Sequence, residues 1–241
     1  MPEPDSKNNN SKKIACSVVF PVYNEEESLP PLFSEVLTVM SGLQLNYEMI
    51  FVDDCSSDES PQLLSQFQKD LPEIVQIVPL AERSGQTKAL RAGLDASRGE
   101  RIVTLDADLQ NDPADIPALL NKLDEGFDCV CGWRKDRQDT LLKAALSKLG
   151  NILQRLFTRM TIHDVSCTLR VYRRECIDHV PLNWEGQHRF IPLSLALQGY
   201  KVGEITSHHR SRQYGTTKYS HRRIFRVIGD FFKILKAGGK A

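Results

Sequence analysis

Between residues 14 and 131 short β-rich apolar runs alternate with amphipathic stretches, and this alternation restricts the fold more than any other feature. Apolar runs at 14–20, 47–52, 74–78, 101–105 and 127–131 read as strands. The stretches 29–40, 61–69, 87–96 and 113–123 place apolar residues at helical spacing. Strands alternating with helices predict βαβ units, and so an α/β fold with a mainly parallel sheet flanked by helices. Pro113 in the first turn and Gly126 just past the end suit the fourth helix. Farther on, 141–158 reads as a helix, 169–172 as a strand, 190–197 as a helix and 202–205 as a strand, before a basic loop at 208–218.

Polar residues follow the predicted strands closely. Pro21-Val22-Tyr23-Asn24-Glu25 follows the first, Asp53-Asp54 the second, Asp106-Ala107-Asp108 the fourth and Trp133-Arg134 the fifth. Ligands of open α/β sheets bind at the carboxyl ends of the strands, so four clusters at one edge point to one site. Asp106 and Asp108, with Gln110 two residues on, make a hard oxygen set suited to Mg²⁺ or Mn²⁺. On an extended chain those carboxylates would diverge, whereas a turn after the strand brings them together. Asp53 reads either as an Asx turn or as a hydrogen-bond partner of a base or ribose. Tyr23 offers a ring on which a base can stack.

Net charge is zero, but residues 1–133 carry 10 Lys and Arg against 23 Asp and Glu, and residues 134–241 carry 21 against 8. The acidic half suits a cation, and the basic half an anionic partner such as a phosphate or a membrane surface. Nucleic acid is not expected, because no aromatic-interleaved platform accompanies the basic residues. No stretch reaches the ~18 apolar residues of a membrane span. Residues 1–13 lack the apolar core of a secretory signal and read as a disordered leader. The six cysteines include Cys129-x-Cys131, which is not a zinc spacing, and read as reduced thiols of a cytosolic protein. No histidine pair has a metal spacing; His188, His208 and His209 read as structural or phosphate-facing.

Three segments, Phe20-Pro-Val-Tyr-Asn-Glu-Glu26, Val52-Asp-Asp-Cys-Ser-Ser-Asp58 and Asp106-Ala-Asp-Leu-Gln-Asn-Asp-Pro113, resemble the successive signatures of family-2 inverting glycosyltransferases with the GT-A fold. Gly132-Trp-Arg-Lys-Asp-Arg137, Asp164 ahead of Leu169-Arg-Val-Tyr-Arg-Arg174, His188-Arg-Phe-Ile-Pro192 and His209-Arg-Ser-Arg-Gln-Tyr-Gly-Thr-Thr-Lys-Tyr219 narrow the resemblance to polyprenyl-phosphate glycosyltransferases. That group includes dolichol-phosphate mannose synthase and undecaprenyl-phosphate sugar transferases. Two departures stand out: Cys55 replaces the usual Gly of the acidic-pair motif, and Thr216-Thr217-Lys218 replaces a commoner Ser-containing triplet.

The resemblance implies a GT-A domain over 14–219, with 220–241 as a basic amphipathic helix and tail. It implies a metal held by Asp106, Asp108 and Gln110, and a GDP- or UDP-sugar held by Pro21, Tyr23, Glu25, Asp53, Asp106 and Ala107. Arg134, Ser147 and Arg212 are the implied acceptor-phosphate contacts, with Arg137, Thr217 and Lys218 beside them. The independent argument for the arginines is that their planar fork matches phosphate. A phosphate-monoester acceptor, with a second pKa of ~6, is ionised at neutral pH and needs no general base. A saccharide or protein hydroxyl would need one, for which Asp164 is the candidate; its alternative task is to orient an arginine. A third reading is a non-catalytic nucleotide-sugar-binding scaffold, against which the intact Asp106, Asp108, Arg134 and Lys218 argue.

The terminal stretch 222–236 spaces Ile224, Phe225, Ile228, Phe231, Phe232 and Leu235 as one helical face among basic residues. That pattern suits a membrane interface, and equally packing onto the chain's own domain. Many bacterial members of the group continue into two transmembrane helices, so a peripheral position at the cytoplasmic membrane face is expected, with a separate anchoring subunit as one route.

Overall fold

The computed structural model describes residues 13–135, 162–178, 180–211, 213, 229–230 and 233–234. Residues 1–12 of the expected leader, the helix at 141–158, and Arg137, Ser147, Arg212, Thr217 and Lys218 lie outside the described residues.

Seven strands form one sheet: β1 (Cys16–Val22), β2 (Tyr47–Asp53), β3 (Val75–Pro79), β4 (Arg101–Thr104), β5 (Cys129–Trp133), β6 (Arg170–Arg173) and β7 (Val202–Thr206). Their order is β3-β2-β1-β4-β6-β5-β7. β6 runs antiparallel to β4 and β5, and the other pairings are parallel. The carboxyl ends of β1, β2, β4, β5 and β7 therefore leave the sheet at one edge, and the β1–β4 boundary is the switch point at which ligand crevices form.

Among the described residues the main helices are α1 (Leu29–Gly42), α2 (Ser60–Asp70), α3 (Gln86–Ala96), α4 (Ile116–Asp124) and α5 (Ile191–Leu197). Pro sits in the first turn of α1, α2, α4 and α5, where its missing N–H breaks no helical bond. Side chains alternate across the strands, so two cores form. Val18, Phe20, Phe51 and Val103 pack with α1, α2 and α4; Val19, Ile50, Val52 and Ile102 pack with α3 and α5. Phe20 stacks on Phe51 with centroids 4.6 Å apart. α3 lies against the sheet at Gly93, where a Cβ would come within 2.3 Å of Val19 Cγ1.

The boundaries differ from expectation in informative ways. β1 extends to Val22, so Pro21 lies inside a strand paired on both sides. It is tolerated because pairing with β4 stops at Val19, and Pro21 points its missing N–H to that side. Asp53 and Trp133 are the last residues of their strands rather than the first of the loops. The fourth helix opens with a 3₁₀ turn, Pro113–Asp115, whose start is capped by Asp112 accepting from Ala114 N (2.9 Å).

Five cysteines are buried, Cys55 is exposed, and all six are free thiols. In the terminal segment the described residues pack on the chain itself. Ile234 is buried with Phe190 and Leu193 and against Trp184, and Asp230 is buried and bonded to Lys233. This is the packing alternative for those residues; the expected apolar face lies outside the described ones. Among the described residues no helix is long and apolar enough to cross a membrane.

Candidate functional site

The loops after β1 and β2 are laced together by reciprocal hydrogen bonds. Asn24 N donates to Ser56 Oγ (3.0 Å), and Asn24 Oδ1 accepts from Ser57 N (2.8 Å). Glu25 N donates to Ser60 Oγ (2.9 Å), and Glu26 Oε2 accepts from Glu59 N (2.8 Å). The side chain of Glu25 accepts from Ser28 Oγ (3.0 Å) at the start of α1. Tyr23 lies beneath Arg83, whose guanidinium carbon is 4.1 Å from the ring centroid. One face of the ring on which a base can stack thus carries a cation. Asn24 (φ 50°) and Cys55 (φ 60°) are left-handed, which explains why glycine is the commoner residue at the position of Cys55.

Asp53 and Asp54 part company. Asp53 Oδ1 accepts from Ser56 N (3.1 Å), the Asx-turn alternative, while the residue stays at the crevice edge of β2. Asp54 turns away and grips the start of α3, accepting from Ser84 N (2.6 Å) and Gly85 N (2.9 Å). Glu185, 98 residues on from Thr87, accepts from Thr87 N (3.0 Å). The Thr87 hydroxyl accepts from Gly186 N (2.8 Å) and lies 2.7 Å from His188 Nδ1.

The acidic turn follows β4 directly. Leu109 is left-handed (φ 58°), so the chain reverses instead of continuing extended. Ala107 is buried under the turn. Gln86 Nε2 donates to Asp106 Oδ1 (2.7 Å), and Gln110 N donates to Asp108 Oδ1 (3.2 Å). Burial, and then the charge of Asp108, push the Asp106 carboxyl up to about 6, while the Thr168 hydroxyl, Arg134 and Arg170 oppose that rise. The two carboxylates therefore feel one another, as a turn that converges them requires.

Such a pair fits a hard divalent cation. Among the described residues no third His, Cys, Asp or Glu joins it. Two carboxylates leave coordination positions for water and substrate phosphate oxygens, the habit of Mg²⁺ sites. Gln110 is bound into the turn by its backbone: its N–H meets Asp108 and its carbonyl accepts from Arg210 N (2.8 Å).

Arg134, just past β5, is the opposite pole. Its Nε and Nη2 donate to both oxygens of Asp164 (2.6 and 3.0 Å), and Nη2 also reaches Ser166 Oγ (2.8 Å). Both side chains are only 12% exposed. Asp164 further accepts from Ser166 Oγ (2.8 Å). These contacts match the orienting alternative for Asp164, whose two oxygens both accept from Arg134. Beside it Trp133 stacks on His163 (4.3 Å), which bonds to Glu204. Arg170 is buried and donates to carbonyls of His188 (2.8 Å) and Val165 (2.6 Å), placing a second cation in the field of Asp106.

A strap after β7 closes over the acidic turn. Ser207 N donates to Trp133 O, His208 bonds to Asp115 through both N and Nδ1, and His209 bridges Asn111. Arg210 spans Glu35 on α1 and Asp112 (2.8 Å each). His188 likewise bonds to Thr87, so each of the three histidines has a partner within the fold. The residues that sequence reasoning did not single out are Arg83, Gln86, Thr87, Thr168 and Glu185; Arg170 was quoted only as part of a motif, without a role. A visible signal existed for Gln86 and Thr87: Ser84-Gly85-Gln86-Thr87 opens a helix beside a predicted strand end.

Known proteins agree with this architecture. An undecaprenyl-phosphate 4-deoxy-4-formamido-L-arabinose transferase of Salmonella choleraesuis is 39% identical over 224 residues, covering 93% of this chain and 68% of the relative. A dodecaprenyl-phosphate galacturonate synthase of Rhizobium johnstonii is 37% identical over 228 residues, covering 93% and 67%. Glucosyl-3-phosphoglycerate synthase of Mycobacterium tuberculosis, solved with Mn²⁺, UDP and phosphoglyceric acid, superposes with a TM-score of 0.67 at 17% identity, covering 92% of this chain and 78% of that one. A mannosyltransferase of Pyrobaculum calidifontis, solved with GDP-mannose and Mn²⁺, gives 0.66 at 19% identity, covering 97% and 68%. These two likenesses are of fold, and the fold is the GT-A arrangement expected from the motifs. Residues 17–180 match the glycosyl transferase family 2 pattern, and the chain belongs to that family.

Proposed function

We propose that this enzyme transfers a sugar, with inversion, from a GDP- or UDP-sugar to a polyprenyl phosphate at the cytoplasmic face of a membrane. The observation that carries the proposal is the opposition of two poles at one sheet edge: the Asp106–Asp108 pair and the Asp164-oriented fork of Arg134. The names of the 39% and 37% identical relatives support a polyprenyl-phosphate acceptor. The proposed catalytic domain runs over 14–219, with 220–241 as a basic C-terminal extension.

Asp106 and Asp108, with Gln110 beside them, would hold Mg²⁺ or Mn²⁺, and two structural neighbours were solved with Mn²⁺. When bound, the cation supplies Lewis-acid stabilisation of the departing nucleoside diphosphate. Pro21, Tyr23, Glu25 and Asp53 form the nucleotide wall, with Asp106 and Ala107 beneath the diphosphate. Arg134 offers Nη1 to the acceptor phosphate, offsetting repulsion between two anions and holding the nucleophilic oxygen in line. Ser147, Arg212, Arg137, Thr217 and Lys218 are proposed to complete that anion site. No carboxylate base is assigned, because an ionised phosphate oxygen is already nucleophilic and Asp164 is spent on Arg134.

The test is direct. The purified protein with Mn²⁺ or Mg²⁺, a panel of GDP- and UDP-sugars and a short polyprenyl phosphate should give a lipid-linked sugar from one donor. Transfer to soluble saccharide hydroxyls, with none to the lipid phosphate, would refute the acceptor. Asp108→Ala should lose more than about 100-fold in kcat, an oxyanion-stabilisation-sized effect. Its melting temperature should stay at the wild-type value.

A further inference from the structure

We propose that Gln86 is a positioning residue for the acidic turn, presetting the Asp106 carboxylate for the divalent cation. This inference rests on the cation-dependent reading above. Gln86 is the first residue of α3, and its Nε2 stands 2.7 Å from Asp106 Oδ1.

The helix start that carries it is fixed from two sides. Asp54 takes Ser84 N and Gly85 N from the β2 side, and Glu185 takes Thr87 N from the loop before α5. The Thr87 hydroxyl then ties that loop through Gly186 N. Gly85 is needed where it stands: its φ is 88°, and a Cβ there would lie 2.6 Å from Glu185 Oε2. Of the four positions 84–87 at this helix terminus, Ser84, Gly85 and Thr87 are thus pinned by carboxylates, and Gln86 delivers an amide to a carboxylate.

An amide suits this place chemically. A carboxylate at position 86 would repel Asp106, and a lysine or arginine would cancel the charge that a cation needs. The glutamine N–H hydrogen-bonds the ionised carboxylate and leaves the charge of the Asp106–Asp108 pair intact. It also holds the Asp106 carboxylate in one rotamer.

Groups that orient a metal-binding carboxylate characteristically change metal affinity about 10- to 100-fold when removed. Gln86→Met keeps the length of the side chain and removes the donor. Mn²⁺ binding in the presence of UDP, and separately of GDP, followed by the paramagnetic resonance signal of free Mn²⁺, should show a dissociation constant raised about 10-fold, with thermal melting unchanged. In turnover, the KM for Mn²⁺ should rise by a similar factor and kcat should recover at saturating Mn²⁺. Gln86→Asn, too short to reach, should behave as Gln86→Met does. Equal Mn²⁺ affinity in wild type and both variants would overturn the role of Gln86 while leaving the cation site standing, as would a kcat loss that saturating Mn²⁺ does not restore. Absence of Mn²⁺ binding by the wild-type protein with either nucleotide would overturn the cation reading, and the positioning role with it.

Discussion

Asn24, Cys55 and Leu109 each take a left-handed backbone conformation, and each stands in a loop that leaves the crevice edge of the sheet. Such a conformation costs a residue with a Cβ on the order of 1–2 kcal/mol. What the cost secures is a reversal within two or three residues of a strand end. Leu109 turns the chain after Asp108, so two carboxylates that alternate in an extended strand can meet. Cys55 turns it after Asp53 and Asp54, so one carboxylate stays on the crevice while the other reaches α3. Cys55 is exposed, and among the described residues no hydrogen bond ties its thiol. Cys55→Gly should therefore raise stability by up to about 1 kcal/mol in urea unfolding, reduced by the extra freedom glycine brings to the unfolded chain. The motif positions themselves were readable from sequence because strand ends carry chemistry in open α/β sheets. What Asp54 and Asp164 do was not readable, because each side chain is claimed by a partner 30 residues away that only the folded chain supplies.

The third helix is the element on which the site turns. Its N-terminus carries partial positive charge and would suit a phosphate, yet Asp54 and Glu185 already occupy Ser84, Gly85 and Thr87. The diphosphate of a donor must be neutralised elsewhere, which is a structural reason for the acidic pair to recruit a cation. Along its length α3 presses on β1 and β2 at Gly93, with Val19 and Val52 in the place of a Cβ. Gly93→Ala should cost about 1–3 kcal/mol by overpacking, measured as a lower denaturation midpoint with an unchanged denaturant slope. Within the described residues the expected helices and strands were legible from periodicity, with most ends displaced by one or two residues. Pro21 shows why: a proline reads as a strand terminus, but the neighbouring strand ends first and lets it stay inside.

Across the whole molecule, the division between an acidic first half and a basic second half becomes contact between segments far apart in sequence. Arg210 reaches back to Glu35, and Glu185 and His188 reach back to Thr87. His188 is buried beside Thr87, and burial, with Arg189 and Arg170 nearby, holds its pKa well below the usual 6.5. The folded protein keeps this imidazole neutral, whereas the unfolded chain protonates it below 6.5, so this contribution to stability falls as pH falls. Melting curves between about pH 7.5 and about pH 5.5 should show a loss approaching ~1.4 kcal/mol per pH unit from this group, absent in His188→Asn. None of these links could be read from spacing, since periodicity reports which face is buried and not what it meets.

The single antiparallel strand has a consequence for how the chain is made. β3-β2-β1-β4 can assemble once residue 104 has been synthesised, but the outer edge of β4 waits for β6, which comes after β5 in the chain and lies before it in the sheet. Until Arg170–Arg173 emerges, that edge is an open template for another strand. Closing it pairs residues as far apart in sequence as Arg101 and Arg173, which slows folding and exposes the nascent half-sheet to mispairing. The turn bearing Asp106 and Asp108 is thus formed early, and the cations that balance it arrive only with the last strands.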